Sequence, residues 1–268
     1  MKIEWIALDL DGTLLGPDGK VPPKTAEHIR GLRGEYRLIL ISGRHFPQML
    51  ETAEALGLGG EDLMISCDGM YISRPDGELL HGFPGLREED FLKIREEIKA
   101  GGALCCITDK GPCTVDTSLS GYIRHKLLRS LRGGRGQLAY KQLPSGLGEI
   151  EKITVKTDAL EIERLKGEYS VHLNSGSWEI LKLGTGKFQA LSWLAREGKT
   201  DLERLLYFGD SYNDLDCMRR LKYSVAMGNA PRQVKEAAAY VTGSNREEGV
   251  YIFLLRELER MQHGEDRA

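Results

Sequence analysis

The chain is short of several things, and each shortage removes a class of protein. Its 268 residues include five cysteines, Cys67, Cys105, Cys106, Cys113 and Cys217, and no C-x-x-C pair. An odd set without paired spacing argues against a disulfide framework and reads as reduced thiols. Cys105, Cys106 and Cys113 lack a recognisable fourth ligand for a structural zinc ion. Charge of one sign is not in excess: the formal net charge is −3, without the basic surplus that nucleic acid demands, so no nucleic-acid partner is expected. No apolar run has the length that crosses a bilayer, and no charged-then-apolar leader precedes the first strand. The expectation is a cytoplasmic protein with no membrane partner. Repeats and low-complexity segments are missing as well. What remains, 41% hydrophobic and 29% charged residues, is an ordinary globular composition for one large domain or two smaller ones.

What is there begins with the first apolar run. Residues 5–8 read as a short buried strand, and two carboxylates, Asp9 and Asp11, arrive where it ends. Side chains alternate along a strand, so the two acids share a face if the extension persists. In an open α/β sheet, ligands bind outside the carboxyl ends of the strands. Two acids there, followed by Gly12 and Thr13, suit a divalent cation and a phosphoryl group. On this stretch alone a solvated strand end with an Asx turn at Asp11-Gly12 fits equally well.

The next segments alternate strand and helix. A helix is expected over 24–32, a strand over 37–41 ending at Ser42-Gly43-Arg44, a helix over 46–56, and a strand over 64–66 ending at Cys67-Asp68-Gly69. A hairpin follows around Pro75-Asp76-Gly77. This β-α-β-α-β order predicts a parallel sheet with helices on its faces. From residue 83 the character changes to short strands mixed with helices, including a basic helix over 120–131. The first pattern returns with a helix over 187–196, a strand over 205–208, Gly209-Asp210, and two further strand–helix units. The expected architecture is therefore an α/β core with a parallel sheet, of the Rossmann-like kind. It is built from residues 1–82 and 179–268 and interrupted by an inserted α+β domain over 83–178.

Four sequence-distant spots then share one structural position, the carboxyl end of a core strand or the start of the next helix. They are Asp9-Leu10-Asp11-Gly12-Thr13, Ser42-Gly43-Arg44, Gly186-Lys187, and Gly209-Asp210-Ser211-Tyr212-Asn213-Asp214. Singly they are weak: Asp210-Ser211 alone could cap a helix, and Lys187 alone could be a solvated first-turn residue. In this order they resemble the haloacid dehalogenase (HAD) superfamily of phosphotransferases, more narrowly its Cof-type branch (subfamily IIB, with the C2 type of cap). The framing runs Trp178-Glu179-Ile180-Leu181 and Val225-Ala226-Met227-Gly228-Asn229-Ala230 belong to the same resemblance, and the cap of that branch sits where the inserted domain lies here.

The resemblance implies a Mg²⁺-dependent phosphatase acting on a small phosphorylated metabolite, such as a sugar phosphate or a phosphoglycolate-like acid. Asp9 would be the nucleophile and Asp11 the general acid/base. Ser42 and Lys187 would hold the phosphoryl oxygens, with Gly43, Arg44 and Asn213 contacting substrate. Asp9, Asp210, Asp214 and the Asp11 backbone carbonyl would make the metal site, in which Asp214 and Asn213 orient metal-bound water and Lys187. Two departures stand out. Asp68 occupies a place usually held by Asn in this branch, and Ser42 stands for the commoner Thr.

In the cap, the basic stretch Arg124, His125, Lys126, Arg129, Arg132 and Arg135 reads as a solvated helix face rather than a substrate recruiter. Tyr122, Trp178 and Glu179 are candidate leaving-group contacts. A phosphomutase of the same superfamily and a non-catalytic metabolite-binding regulator are the alternatives, and either a monomer or a homodimer is compatible with the sequence.

Overall fold

The protein is described from a computed structural model. The structure describes residues 2–98, 103–108, 111–116, 123, 126, 137–140, 148–156, 162–174 and 176–262. Expectations for Tyr122, Arg124, His125, Arg129, Arg132, Arg135 and most of the 120–131 helix lie outside these residues. The chain divides into two compact units, residues 1–83 with 186–268, and residues 84–185.

The first unit is built on a sheet of eight strands among the described residues. In chain order they are β1 (Trp5–Asp9), β2 (Arg37–Ile41), β3 (Leu63–Ser66), β4 (Tyr71–Ser73), β5 (Leu79–Gly82), and then, after the second unit, β12 (Leu205–Gly209), β13 (Tyr223–Ala226) and β14 (Tyr240–Val241). Their spatial order is β14-β13-β12-β1-β2-β3-β4-β5. Pairing is parallel from β14 to β3 and antiparallel for β3–β4 and β4–β5. Strand β1 thus lies between β2 and β12, where the winding of the chain changes direction. That switch point is where an open α/β sheet opens its binding crevice.

The strand sequences are apolar on both faces, as a sheet covered on both sides requires. Ile6, Leu8, Leu38, Leu40 and Phe208 pack on one side with α1 (Pro23–Leu32), α2 (Phe46–Ala55) and, later in the chain, α7 (Gly249–Gln262). The alternate residues Trp5, Ala7, Ile39, Ile41 and Tyr207 pack on the other with α4 (Lys187–Arg196), α5 (Leu215–Arg220) and α6 (Arg232–Ala237). Pro22-Pro23 starts α1, where a missing N–H costs nothing. The expected hairpin forms as β4 and β5.

The second unit opens with α3 (Glu88–Glu97). It carries a second sheet of β6 (Ala103–Thr108), β7 (Gly111–Asp116), β8 (Gln137–Tyr140), β9 (Ile150–Val155), β10 (Tyr169–Asn174) and β11 (Ser177–Lys182), ordered β10-β11-β9-β6-β7-β8. Pairing is antiparallel except between β7 and β8. The expected domain boundary at 179 falls inside β11. That strand pairs with both β10 and β9, so the chain returns to the first unit only at Gly186. Phe91, Ile94, Leu104, Cys106, Val115, Ile153, Val155 and Ile180 form this unit's own apolar core. No helix among the described residues is long and apolar enough to cross a membrane.

Candidate active site

The site is assembled from the carboxyl ends of β1, β2, β3 and β12 and the first turn of α4. Asp9 is the last residue of β1 and is buried. Beyond it the chain turns tightly through Leu10–Leu14, closed by the Leu15 N–H donating to the Leu10 carbonyl (2.9 Å). Asp11 is extended in this turn (φ −74°, ψ 119°) and Gly12 takes φ +81°. A Cβ on Gly12 would lie 2.2 Å from Oδ2 of Asp210, so the absence of a side chain there lets the turn close over that carboxylate.

Lys187, the first residue of α4, is the cation of the site. Its Nζ donates to Oδ1 of Asp9 (2.7 Å) and to Oδ1 of Asp214 (2.6 Å), and all three side chains are almost wholly buried. Asp214 is saturated: Oδ1 also accepts from the Tyr207 hydroxyl (2.5 Å), and Oδ2 accepts from the backbone N–H groups of Asp210 (2.9 Å) and Ser211 (2.8 Å). It therefore shapes the loop after β12 while anchoring Lys187. Asp210 accepts from the Thr13 hydroxyl on Oδ1 (3.2 Å) and from Nδ2 of Asn229 on Oδ2 (3.1 Å). The same Asn229 amide also donates to the Gly12 carbonyl (2.8 Å), tying the loop after β13 to the turn after β1.

Burial is the dominant influence on these groups. It pushes the Asp9 carboxyl well above its usual range, Lys187 opposes that rise, and the charges of Asp214 and Asp210 add to it. Burial and Asp214 raise Asp210 to about 6. For Lys187 burial works against the charged form, but Asp214, Asp9 and Asp68 outweigh it and hold the ammonium protonated. Burial and Asp214 also raise Tyr207, which stays a phenol and a donor.

Carboxylate oxygens of Asp9, Asp210 and Asp214 lie within 4.8 Å of one another. Three acids gathered round one ammonium leave negative charge uncompensated, in a cradle that a Cβ at Gly12 would fill. Hard oxygen donors of this kind fit Mg²⁺, which takes one or two carboxylates and keeps several waters. With Asp214 already accepting four donors, Asp9 and Asp210 are the side chains with capacity for the ion.

Other expected site residues are placed differently. The Asp11 carboxylate stands outside the buried cluster, gripped by Arg44 through Nε (2.7 Å) and Nη2 (2.6 Å). That hydrogen-bonded pairing with Asp11 raises the Arg44 guanidinium further. Ser42 is buried, and its Oγ accepts from the Arg44 backbone N–H (3.2 Å). Gly43 lies against Asp68, whose carboxylate oxygens would stand 2.9 and 3.0 Å from a Cβ there. Asn213 donates from Nδ2 to Oδ1 of Asp68 (2.9 Å).

Asp68 sits in a turn in which Cys67 (φ 52°) and Asp68 (φ 55°) are both left-handed. Its N–H donates to the Ser42 carbonyl (3.0 Å). Sequence reasoning assigned no role to Tyr207 and none beyond family framing to Asn229. Tyr207 read as one more apolar strand position, and only its hydroxyl, directly behind Asp214, marks it out.

A family model described as haloacid dehalogenase-like hydrolase matches residues 6–254. Among curated proteins, the chain is 27% identical over 250 residues to the 5-amino-6-(5-phospho-D-ribitylamino)uracil phosphatase YcsE of Bacillus subtilis, covering 92% of this chain and 93% of that one. It is 25% identical over 277 residues to the pyridoxal phosphate phosphatase YbhA of Escherichia coli, covering 96% and 100%. Among solved structures, the HAD subclass IIB sugar phosphatase BT4131 superposes with a TM-score of 0.74 at 18% identity, covering 94% of this chain and 98% of that one. At that identity the likeness establishes the fold.

Proposed function

Because the chain belongs to the haloacid dehalogenase-like hydrolases, we propose that it is a Mg²⁺-dependent phosphatase that hydrolyses a small phosphorylated metabolite through a phosphoryl group carried on Asp9. The relatives named above are phosphatases of small phosphorylated molecules, and this chain is a HAD-type phosphoric monoester hydrolase of the Cof kind. The observation that carries the mechanism is the Lys187 ammonium bonded to both Asp9 and Asp214, with Asp210 within reach of the same point.

In the first half-reaction a carboxylate oxygen of Asp9 attacks phosphorus, the bond from phosphorus to the leaving oxygen breaks, and Asp11, once it has left Arg44 and taken up a proton from solvent, gives that proton to the leaving oxygen. In the second, water attacks phosphorus and passes a proton to Asp11. The bond from phosphorus to Asp9 breaks and inorganic phosphate departs. An ammonium has three donors; Lys187 spends two on Asp9 and Asp214, which leaves one for a phosphoryl oxygen. The Ser42 Oγ accepts from the Arg44 N–H, so its own O–H is available to a second phosphoryl oxygen. Arg44 holds Asp11 at the mouth of the site, and Gly43 and Asn213 line it against Asp68. Asp9 and Asp210, with the Asp11 backbone carbonyl, would hold Mg²⁺, whose charge offsets the repulsion between an anionic ester and the carboxylates. Asp214 supports them from behind through Lys187 and the Asp210 N–H.

The test is phosphate release from p-nitrophenyl phosphate and a panel of small phosphate esters, with and without Mg²⁺. Wild-type protein is expected to turn over only with the ion, and Asp9→Asn to lose activity by a factor on the order of 10³ or more. Equal turnover by wild type and Asp9→Asn overturns the mechanism.

A further inference from the structure

A cavity of about 200 Å³ opens at the other end of the first unit's sheet, away from the active site. Every residue that lines it belongs to that unit. Trp5, Arg37 and Leu63 in its wall are the first residues of β1, β2 and β3, whereas the reacting groups stand at the carboxyl ends of the same strands. A five-residue strand sets the two places about 15 Å apart. Leu80 of β5 and the Gly198-Lys199 segment beyond α4 also belong to the wall.

The charge of this cavity is one-sided. Arg37, Arg74 and Lys199 are three cations on one small space, against a single acid, Glu61. Both guanidinium groups are held by contacts that involve no acid. Arg37 lies over the Trp5 ring, 5.1 Å from its centroid, and Nη1 of Arg74 donates to the Gly60 carbonyl (2.9 Å). Their acid partners are Glu61, 2.7 Å from Arg37, and Glu78, 2.9 Å from Arg74, and these are 70% and 61% exposed. Ion pairs so open to water contribute little, so an incoming anion can take the place of either acid at small cost. Lys199 pairs with no acid among the described residues.

A guanidinium is a planar fork that matches two oxygens of one anionic group, and an ammonium adds a point charge. Two forks and an ammonium around a space of this size suit one doubly charged head group better than a monoanion, or than two carboxylates held apart by a chain. Trp5, Leu63 and Leu80 supply apolar surface beside them.

We propose that this cavity is a second binding site, separate from the active site, for a small dianion of the phosphate-ester or phosphonate kind that carries a small apolar body. Arg37, Arg74 and Lys199 take the charged oxygens, and Trp5, Leu63 and Leu80 take the apolar body. The site goes beyond the phosphatase reading and does not depend on it.

The experiment is calorimetric titration of the full chain, with a chelator present and no metal, at pH 8.5. The probe is phenylphosphonate, a dianion at that pH without a phosphate ester bond to hydrolyse. Wild type is expected to bind it with a Kd on the order of 1 mM or tighter. Benzenesulfonate, of the same shape with one charge fewer, is expected to bind about tenfold more weakly, and Lys199→Gln and Arg74→Gln each to weaken phenylphosphonate about tenfold. Arg232→Gln, which removes an exposed arginine on α6, is expected to leave the Kd in place. No saturable binding by wild type overturns the proposal. Wild-type affinity in both Lys199→Gln and Arg74→Gln also overturns it, since the probe then binds elsewhere, the active site included. An equal loss in Arg232→Gln reduces the binding to unspecific charge attraction, and equal affinity for benzenesulfonate overturns the assignment to a dianion. The two cavity substitutions are independent, so if one protein fails to fold the other decides.

Discussion

Lys187 is the only cation within hydrogen-bonding distance of Asp9 and Asp214 among the described residues, and both of those acids are buried. Removing one partner of a buried ion pair leaves a charge that water cannot reach, at a cost of about 3–5 kcal/mol. Lys187→Met is therefore expected to lose about that much stability in urea unfolding, besides its activity. A loss below about 1 kcal/mol would mean that the carboxylates simply take up protons in place of the lysine. These residues were legible as a group in the sequence. Asp9, Asp210 and Lys187 each follow a strand end or open a helix, and the HAD resemblance put them in one place. The Arg44–Asp11 pair and the Asp68–Asn213 hydrogen bond were not legible. They depend on side-chain reach across loops, and on two consecutive left-handed residues, Cys67 and Asp68, whose types do not announce that conformation.

At the scale of elements, the turn Cys67–Gly69 holds three site segments together. The Cys67 N–H donates to the Arg44 carbonyl (2.9 Å) and the Asp68 N–H to the Ser42 carbonyl, which fixes the loop after β2. Asp68 takes the Asn213 amide from the loop after β12. Gly69, at φ +98°, lies so close to the start of α4 that a Cβ would stand 2.2 Å from the Gly186 carbonyl oxygen and 2.9 Å from the Lys187 backbone nitrogen. Neither neighbour is a flexible side-chain end, so the helix itself must move. Gly69→Ala is expected to shift Lys187 away from Asp9. The anticipated result is a loss of kcat of tenfold or more, since displacements of about 1 Å at a catalytic group can cost about 10²-fold, together with a lowered melting temperature. Full activity in a folded Gly69→Ala protein would show that the turn does not set the lysine. The sequence marks Gly69 as a turn residue, but not that its neighbour across the gap is the α4 backbone, because that approach joins segments more than a hundred residues apart.

At the scale of the whole molecule, each unit has its own apolar core, and the strand alternation that predicts one sheet and then another reflects that division. The two units should therefore respond separately to a local change, and Asp90 offers a clean one. In the second unit its carboxylate caps α3 by accepting the Arg87 N–H (2.8 Å), and it accepts from Nζ of Lys182 (3.0 Å) and from the Tyr169 hydroxyl (3.3 Å). Partial burial works to raise this carboxyl, but those partners outweigh it and hold Asp90 below its ordinary 3.8.

A carboxyl depressed on folding adds stability above its unfolded value, and that contribution disappears as pH falls through the folded one. Asp90→Asn is thus expected to be less stable than wild type at pH 7, with the gap closing as pH falls below about 4. The three tryptophans, Trp5, Trp178 and Trp193, allow the two units to be followed apart. A Trp5→Phe/Trp193→Phe background leaves Trp178 to report denaturation of the second unit, and Trp178→Phe leaves the other two to report on the first. The Asp90→Asn shift should appear in the Trp178 signal and leave the Trp5 and Trp193 signal in place. Should both signals move together, the units unfold as one cooperative body. Should the gap stay constant as pH falls through both the unfolded and the folded value of this carboxyl, the contribution of Asp90 does not come from its charge.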